Sequence, residues 1–153
     1  MREAIIPSTH CCLHYHLIFS TKGRYPFIGT SWRERLHAYL GGSVRTLGGV
    51  AVFIGGTADH VHLLVSLNPT HCLADLLRET KRSSSAWVHE KLGIAKFAWQ
   101  EGYGAFTVSP TQIEVVKRYI AHQEMHHRKQ TFQEEYVALL GKSRIEFDDR
   151  YLW

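Results

Sequence analysis

The sequence predicts an α+β fold: a ferredoxin-like (βαββαβ) antiparallel sheet with helices on one face, plus an additional C-terminal helix and tail. Three observations predict it. Apolar stretches of strand length occur at 11–20, 50–55, 60–65 and 105–108. Two long amphipathic stretches, 31–47 and about 72–92, separate the first strand from the second and the third from the fourth. Between the middle strands stands only Gly56-Thr57-Ala58-Asp59, a hairpin turn. Two helical crossovers flanking a hairpin give the split β-α-β order.

Each element has its own warrant. From Cys11 to Ser20 the chain reads CCLHYHLIFS, placing His14, His16 and Ile18 on one face and Leu13, Tyr15, Leu17 and Phe19 on the other. A basic loop, Thr21 to Pro26, carries Lys22 and Arg24. Ser31-x-x-Glu34 is a capping box for a helix whose Trp32, Leu36, Tyr39, Leu40, Val44 and Leu47 form an apolar stripe, and Gly48-Gly49 ends it. After the hairpin, a helix from about Cys72 to Leu92 is closed by Gly93, with Leu73, Leu76, Leu77 and Trp87 facing the sheet and Arg78, Lys81 and Arg82 on its other surface. Trp99, Tyr103 and Phe106, around the fourth strand, suit core packing more than base stacking. Ser109-Pro110-Thr111-Gln112 then starts a helix expected to run to about Arg128. Thr131-x-x-Glu134 caps a last helix with apolar Phe132, Tyr136, Leu139 and Leu140, and the tail to Trp153 is expected to pack as an extended arm.

The 153 residues fit one domain, residues 1–153, with 44% hydrophobic and 21% charged residues as in an ordinary globular protein. No run approaches the ~20 apolar residues of a membrane span, and Met1 to His10 lack a signal-peptide core, so a cytoplasmic protein is expected. Three cysteines without C-x2-C spacing argue for reduced thiols and against a zinc cluster. A net charge of +4 suits a polyanionic partner, and the 11 histidines offer metal ligands.

The third strand, Asp59-His60-Val61-His62-Leu63-Leu64-Val65, puts two imidazoles on one face, where they can share an ion. Alone, such a pair is usually a half-buried polar pair. Tyr119 and Gln123 stand four residues apart on the Ser109 helix, one turn above the other, and Lys117, Arg118, His122, His126, His127, Arg128 and Lys129 make it the most basic part of the chain. His126 and His127 are read first as an exposed helix end. A phenol, with pKa about 10, attacks a phosphodiester only with help from a cation. Two histidines and an amide oxygen leave an ion open positions for phosphate oxygens, suiting Mg²⁺ or Mn²⁺. Asp59 serves the turn, or hydrogen-bonds a histidine.

D-H-V-H-L-L-V at Asp59 to Val65, Y-I-A-H-Q at Tyr119 to Gln123, W-Q-E-G-Y-G-A-F at Trp99 to Phe106, H-H-R-K at His126 to Lys129, Y-H-L-I-F-S-T-K at Tyr15 to Lys22 and the ending R-Y-L-W occur in order over nearly the whole chain. The combination resembles the single-tyrosine HUH transposases of bacterial insertion sequences, including REP-associated tyrosine transposases. The resemblance implies that His60 and His62 are the HUH histidines, Tyr119 the nucleophile on the catalytic helix, and Gln123 the third ligand of a divalent metal ion, Mg²⁺ or Mn²⁺. It further implies single-stranded DNA with hairpin-forming ends as partner, a 5′-phosphotyrosine intermediate with a free 3′-OH, strand transfer, and a homodimer. His122 departs from the asparagine expected there in close relatives. Lys22, Arg24, Arg78, Lys81, Arg82, Arg118, Arg128 and Lys129 are the candidate nucleic-acid contacts. Two other readings stay open: a non-catalytic single-stranded nucleic-acid-binding module resembling RNA-recognition domains, and a metal-dependent nuclease that uses water.

Overall fold

The computed structural model describes residues 8–127 and 129–152. Four strands form one sheet: β1 His14–Ser20, β2 Val50–Gly56, β3 His60–Ser66 and β4 Gly104–Val108. Their order is β2-β3-β1-β4, antiparallel at every step. This is the predicted ferredoxin-like architecture. Register between β1 and β3 begins at His14↔Ser66, so Cys11 and Cys12 precede the strand they were expected to start, as exposed free thiols.

Period two sorts the sheet into two faces. On one, Leu17, Phe19, Val61, Leu63 and Val65 are fully buried against Leu36, Leu40 and Val44 of α1 (Arg33–Thr46) and Leu76, Leu77 and Val88 of α2 (Leu73–Leu92). Each such side chain contributes roughly 1.5–3 kcal/mol, so this face holds the register. Gly93 ends α2 in the left-handed region, as expected. The helix expected from Ser31 begins at Arg33 without a side-chain cap. Trp32 instead turns into the core against Phe97, and burying an indole outweighs the ~1 kcal/mol of a cap.

The other face is covered by the C-terminal part of the chain. Leu64 and Val108 pack against Ile120 of α3 (Ile113–Ala121), and Ile18 and Phe106 against Phe132 and Leu140 of α5 (Phe132–Lys142) and Leu152 of the tail. These strand residues are apolar, and water would otherwise meet them. α3 approaches β2 at Gly55, where a Cβ would stand 2.7 Å from Ile120 Cγ2 and 2.8 Å from its carbonyl oxygen.

Two helix predictions need correction here. Pro110–Gln112 forms a separate 3-10 turn with no side-chain cap. The helix expected to reach Arg128 breaks at His122 (φ −106, ψ 26), whose ring Nδ1 donates to the Arg118 carbonyl at 2.7 Å, giving α3 and a short α4 (Gln123–His127). A side chain bonded to the i−4 carbonyl competes with the helix ladder and ends it. The Thr131 capping box of α5 forms as predicted. Arg128 and Trp153 lie outside the described residues. Among those described, no helix is long and apolar enough to cross a membrane.

Candidate functional site

His60 and His62 enter the site from β3 and His16 from β1, with Ile18↔His62 and Ser20↔His60 setting their heights. All three imidazoles are buried. The hairpin before β3 is built around the first of them. A Cβ at Gly56 would strike the His60 carbonyl oxygen. Asp59 Oδ1 and Thr57 Oγ1 turn back onto His60 Nδ1 at 2.8 and 3.1 Å. Burial acts to raise the Asp59 pKa, but the His60 hydrogen bond and charge outweigh it and hold the carboxyl below the usual carboxylate range. An ionised carboxylate only accepts, so the network places a hydrogen on His60 Nδ1, and in the neutral ring Nε2 then carries the lone pair and points inward. Asp59 thus both makes the turn and orients the ligand candidate.

His62 is oriented by a neutral partner. Its Nδ1 lies 2.8 Å from His16 Nε2. Burial lowers His16 to about 4, against the pull of Glu135, and drives His62 well below the ordinary imidazole range, with His60 and His16 adding to the effect. With both rings neutral, a hydrogen on His62 Nδ1 donated to His16 frees His62 Nε2 to bind an ion. Among the described residues, that buried Nε2 has no hydrogen-bond partner, with Glu135 Oε1 3.4 Å away.

Gln123, 1% exposed, brings its Oε1 to 3.0 Å from His60 Nε2 and donates through Nε2 to the Tyr119 carbonyl at 3.4 Å. The half-buried Tyr119 ring lies edge-on to His62, centroids 5.9 Å apart. Burial first, and then Glu135, push its pKa up, so this phenol is harder to ionise than a free one. The structure therefore brings together His60, His62, Tyr119 and Gln123.

Three residues at the site escaped the sequence reading. His16 had no role assigned. His127, taken as an exposed helix end, is 17% exposed at its side chain and places Nε2 3.0 Å from Gln123 Oε1 and 3.2 Å from His60 Nε2. Glu135, 4% exposed, sits with Oε2 3.0 Å from His127 Nε2 and Oε1 3.4 Å from His62 Nε2. Hydrogen bonding to Glu135 is the main cause raising the His127 pKa; the Glu135 carboxyl is lowered despite burial, by His127 and Tyr119. The signals were present: Tyr119, Gln123 and His127 recur every four residues, and Glu135 interrupts the apolar stripe of its helix.

The arrangement fits a divalent cation. With the His60 ring neutral and its hydrogen on Nδ1, His60 Nε2 and the Gln123 amide oxygen present lone pairs 3.0 Å apart, an arrangement that a cation between them would stabilise. Two imidazoles and an amide oxygen would hold the ion. Among the described residues no three His, Cys, Asp or Glu side chains make such a cluster by themselves.

The basic candidates divide. Lys22 and Arg24 follow Thr21, whose N–H donates to the Asp59 carbonyl at 2.8 Å, and Arg118 and Lys129 line an open groove with Tyr119, His122 and Met125. Arg78, Lys81 and Arg82 lie on α2, across the sheet. There Arg78 pairs with Asp75 and Arg82 with Glu79, while Lys81 Nζ donates to the carbonyls of Gln100 (2.9 Å), Glu101 (3.3 Å) and Gly102 (2.6 Å).

The family model described as "Transposase IS200 like" matches residues 9–123. Among solved structures, a candidate transposase from Deinococcus radiodurans R1 is 24% identical, covers 80% of this chain and 98% of its own, and superposes with a TM-score of 0.62. A REP-associated tyrosine transposase bound to a REP hairpin is 12% identical, with 81% of this chain and 74% of its own covered and a TM-score of 0.59. At these identities the likeness concerns the fold. No curated protein matches the sequence.

Proposed function

The chain belongs to the IS200-like transposase family, and from that premise we propose that it cleaves and rejoins single-stranded DNA with Tyr119 as covalent nucleophile and His60, His62 and Gln123 as ligands of Mg²⁺ or Mn²⁺. The observation that carries the reading is Tyr119 beside His62, on a helix whose continuation buries Gln123 against His60. Bound there, a divalent ion would polarise the scissile phosphate and favour the phenolate. The chain supplies the rest. Asp59 and His16 fix the ring orientations of His60 and His62, and α3 holds Tyr119 at the edge of the cluster.

Attack by the Tyr119 oxygen on phosphorus forms the 5′-phosphotyrosine and breaks the bond to the 3′ oxygen, which leaves as a 3′-OH; the reverse reaction with another 3′-OH transfers the strand. Arg118 and Lys129, beside Tyr119, and Lys22 and Arg24, beside Asp59, suit the flanking phosphates. Hairpin-ended DNA is the proposed substrate, consistent with the fold shared with a hairpin-bound transposase, and a homodimer is the proposed assembly. A labelled hairpin-ended single strand incubated with protein and Mn²⁺ or Mg²⁺ should give a covalent adduct that Tyr119→Phe abolishes. Equal adduct in both proteins, or normal cutting by the variant without an adduct, rejects Tyr119 as nucleophile; the latter outcome indicates a water-using nuclease.

A further inference from the structure

Glu135 lies beyond the residues matched by the family model, 9–123, yet it is a buried carboxylate in the middle of the candidate site. A carboxylate out of water requires a cation or several hydrogen bonds. Glu135 Oε2 pairs with His127 Nε2 at 3.0 Å and the carboxylate also engages Tyr119, while Oε1 stands 3.4 Å from His62 Nε2, on the side of the candidate ligands. Its helix is fixed from both ends of the first turn. Thr131 and Glu134 form the capping box, so the neighbouring glutamate is already engaged with backbone. Phe132 stacks face to face on the His60 ring, centroids 4.0 Å apart with planes at 10°. One turn of α5 thus delivers both an apolar lid for His60 and the carboxylate.

The spacings also match a coordination shell. Between the groups proposed as ligands, Gln123 Oε1 stands 3.0 Å from His60 Nε2 and Glu135 Oε1 3.4 Å from His62 Nε2. Neighbouring ligands of an octahedral ion bound at about 2.1 Å lie roughly 3 Å apart. Resting on the metal-site reading above, we propose that Glu135 closes onto the divalent ion as a further protein ligand when the ion binds, since His60, His62 and Glu135 do not form a ready-made cluster without it, so that α5 docks on the sheet through the metal. An added carboxylate makes the set harder and favours Mg²⁺ or Mn²⁺ over zinc.

Calorimetric titration of the metal-free full chain with Mn²⁺, paired with amide hydrogen exchange, tests this. Glu135→Gln should weaken Mn²⁺ binding about tenfold or more, and His127→Gln much less. In the wild type, Mn²⁺ should protect amides over 132–142. Affinity of Glu135→Gln within about twofold of wild type, or no added protection of that helix in the wild type, overturns the assignment. His60→Ala separates the two levels. If it abolishes Mn²⁺ binding while Glu135→Gln does not, only the Glu135 ligand is wrong; if it leaves binding intact, the metal site itself is.

Discussion

His16→Phe separates the two things that His16 does, accepting a hydrogen bond and resisting protonation. The side chain is 4% exposed, and its pKa falls from 6.5 to about 4. Because the folded value is depressed, the unfolded chain takes up the proton first. The corresponding stability is complete above about pH 6.5 and is lost as pH falls toward 4. Integrated between about pH 7.5 and pH 5, linkage at this one group costs the metal-free wild type about 2 kcal/mol, a large part of a marginal stability. Phenylalanine cannot titrate, so the variant should lose about 2 kcal/mol less than wild type over the same interval. At pH 7.5 it should be the weaker protein by about 1–3 kcal/mol, because His62 Nδ1 is left without its 2.8 Å partner. Urea unfolding in chelator, followed by tryptophan fluorescence, reads both quantities. Equal acid losses in the two proteins would refute the buried neutral imidazole, and equal stability at pH 7.5 would refute the hydrogen bond.

Gly55→Ala should lower stability by about 1–3 kcal/mol through overpacking and raise the metal concentration needed for adduct formation, since the new Cβ pushes on Ile120, three residues from Gln123. Unchanged melting would mean that α3 is not held against β2. Asp59→Asn keeps an acceptor for His60 Nδ1 but removes its charge, and Mn²⁺ affinity should drop about 10–100-fold while the fold, read by circular dichroism, persists. Lys81→Met should cost about 1–3 kcal/mol, lowering Tm by several degrees, because three carbonyls lose their donor. DNA affinity should be unaffected, and a marked loss would return Lys81 to the phosphate contacts.

What the sequence made legible follows from periodicity. Alternation in HVHLLVS puts both histidines opposite the core residues, and the hairpin length follows from one short turn, so β3 and its neighbours were readable. The Tyr119–Gln123 pair was readable because i, i+4 neighbours survive a local break in the helix. The break at His122 was not, because neither glycine nor proline marks it; a ring bonding the Arg118 carbonyl does. Glu135 and His16 were hidden for another reason. Their roles depend on which strands and helices meet, since each meets His62 across a long stretch of sequence, and local pattern cannot state a pairing. His127 looked like one more cation in a basic run, although its four-residue spacing from Gln123 marked it.

The division of the sheet into an apolar face and a face that carries the histidines makes strand register a chemical variable. Sliding β3 by one residue against β1 would present Val61 and Leu63 to Glu135 and drive both imidazoles among Leu17, Phe19 and Leu36. A one-residue insertion or deletion within 56–59 is therefore equivalent to removing both candidate histidine ligands at once, with neither mutated. A two-residue change would restore the face but displace the rings by about 7 Å along the strand. The reading frame of this site is kept by side chains that never touch it.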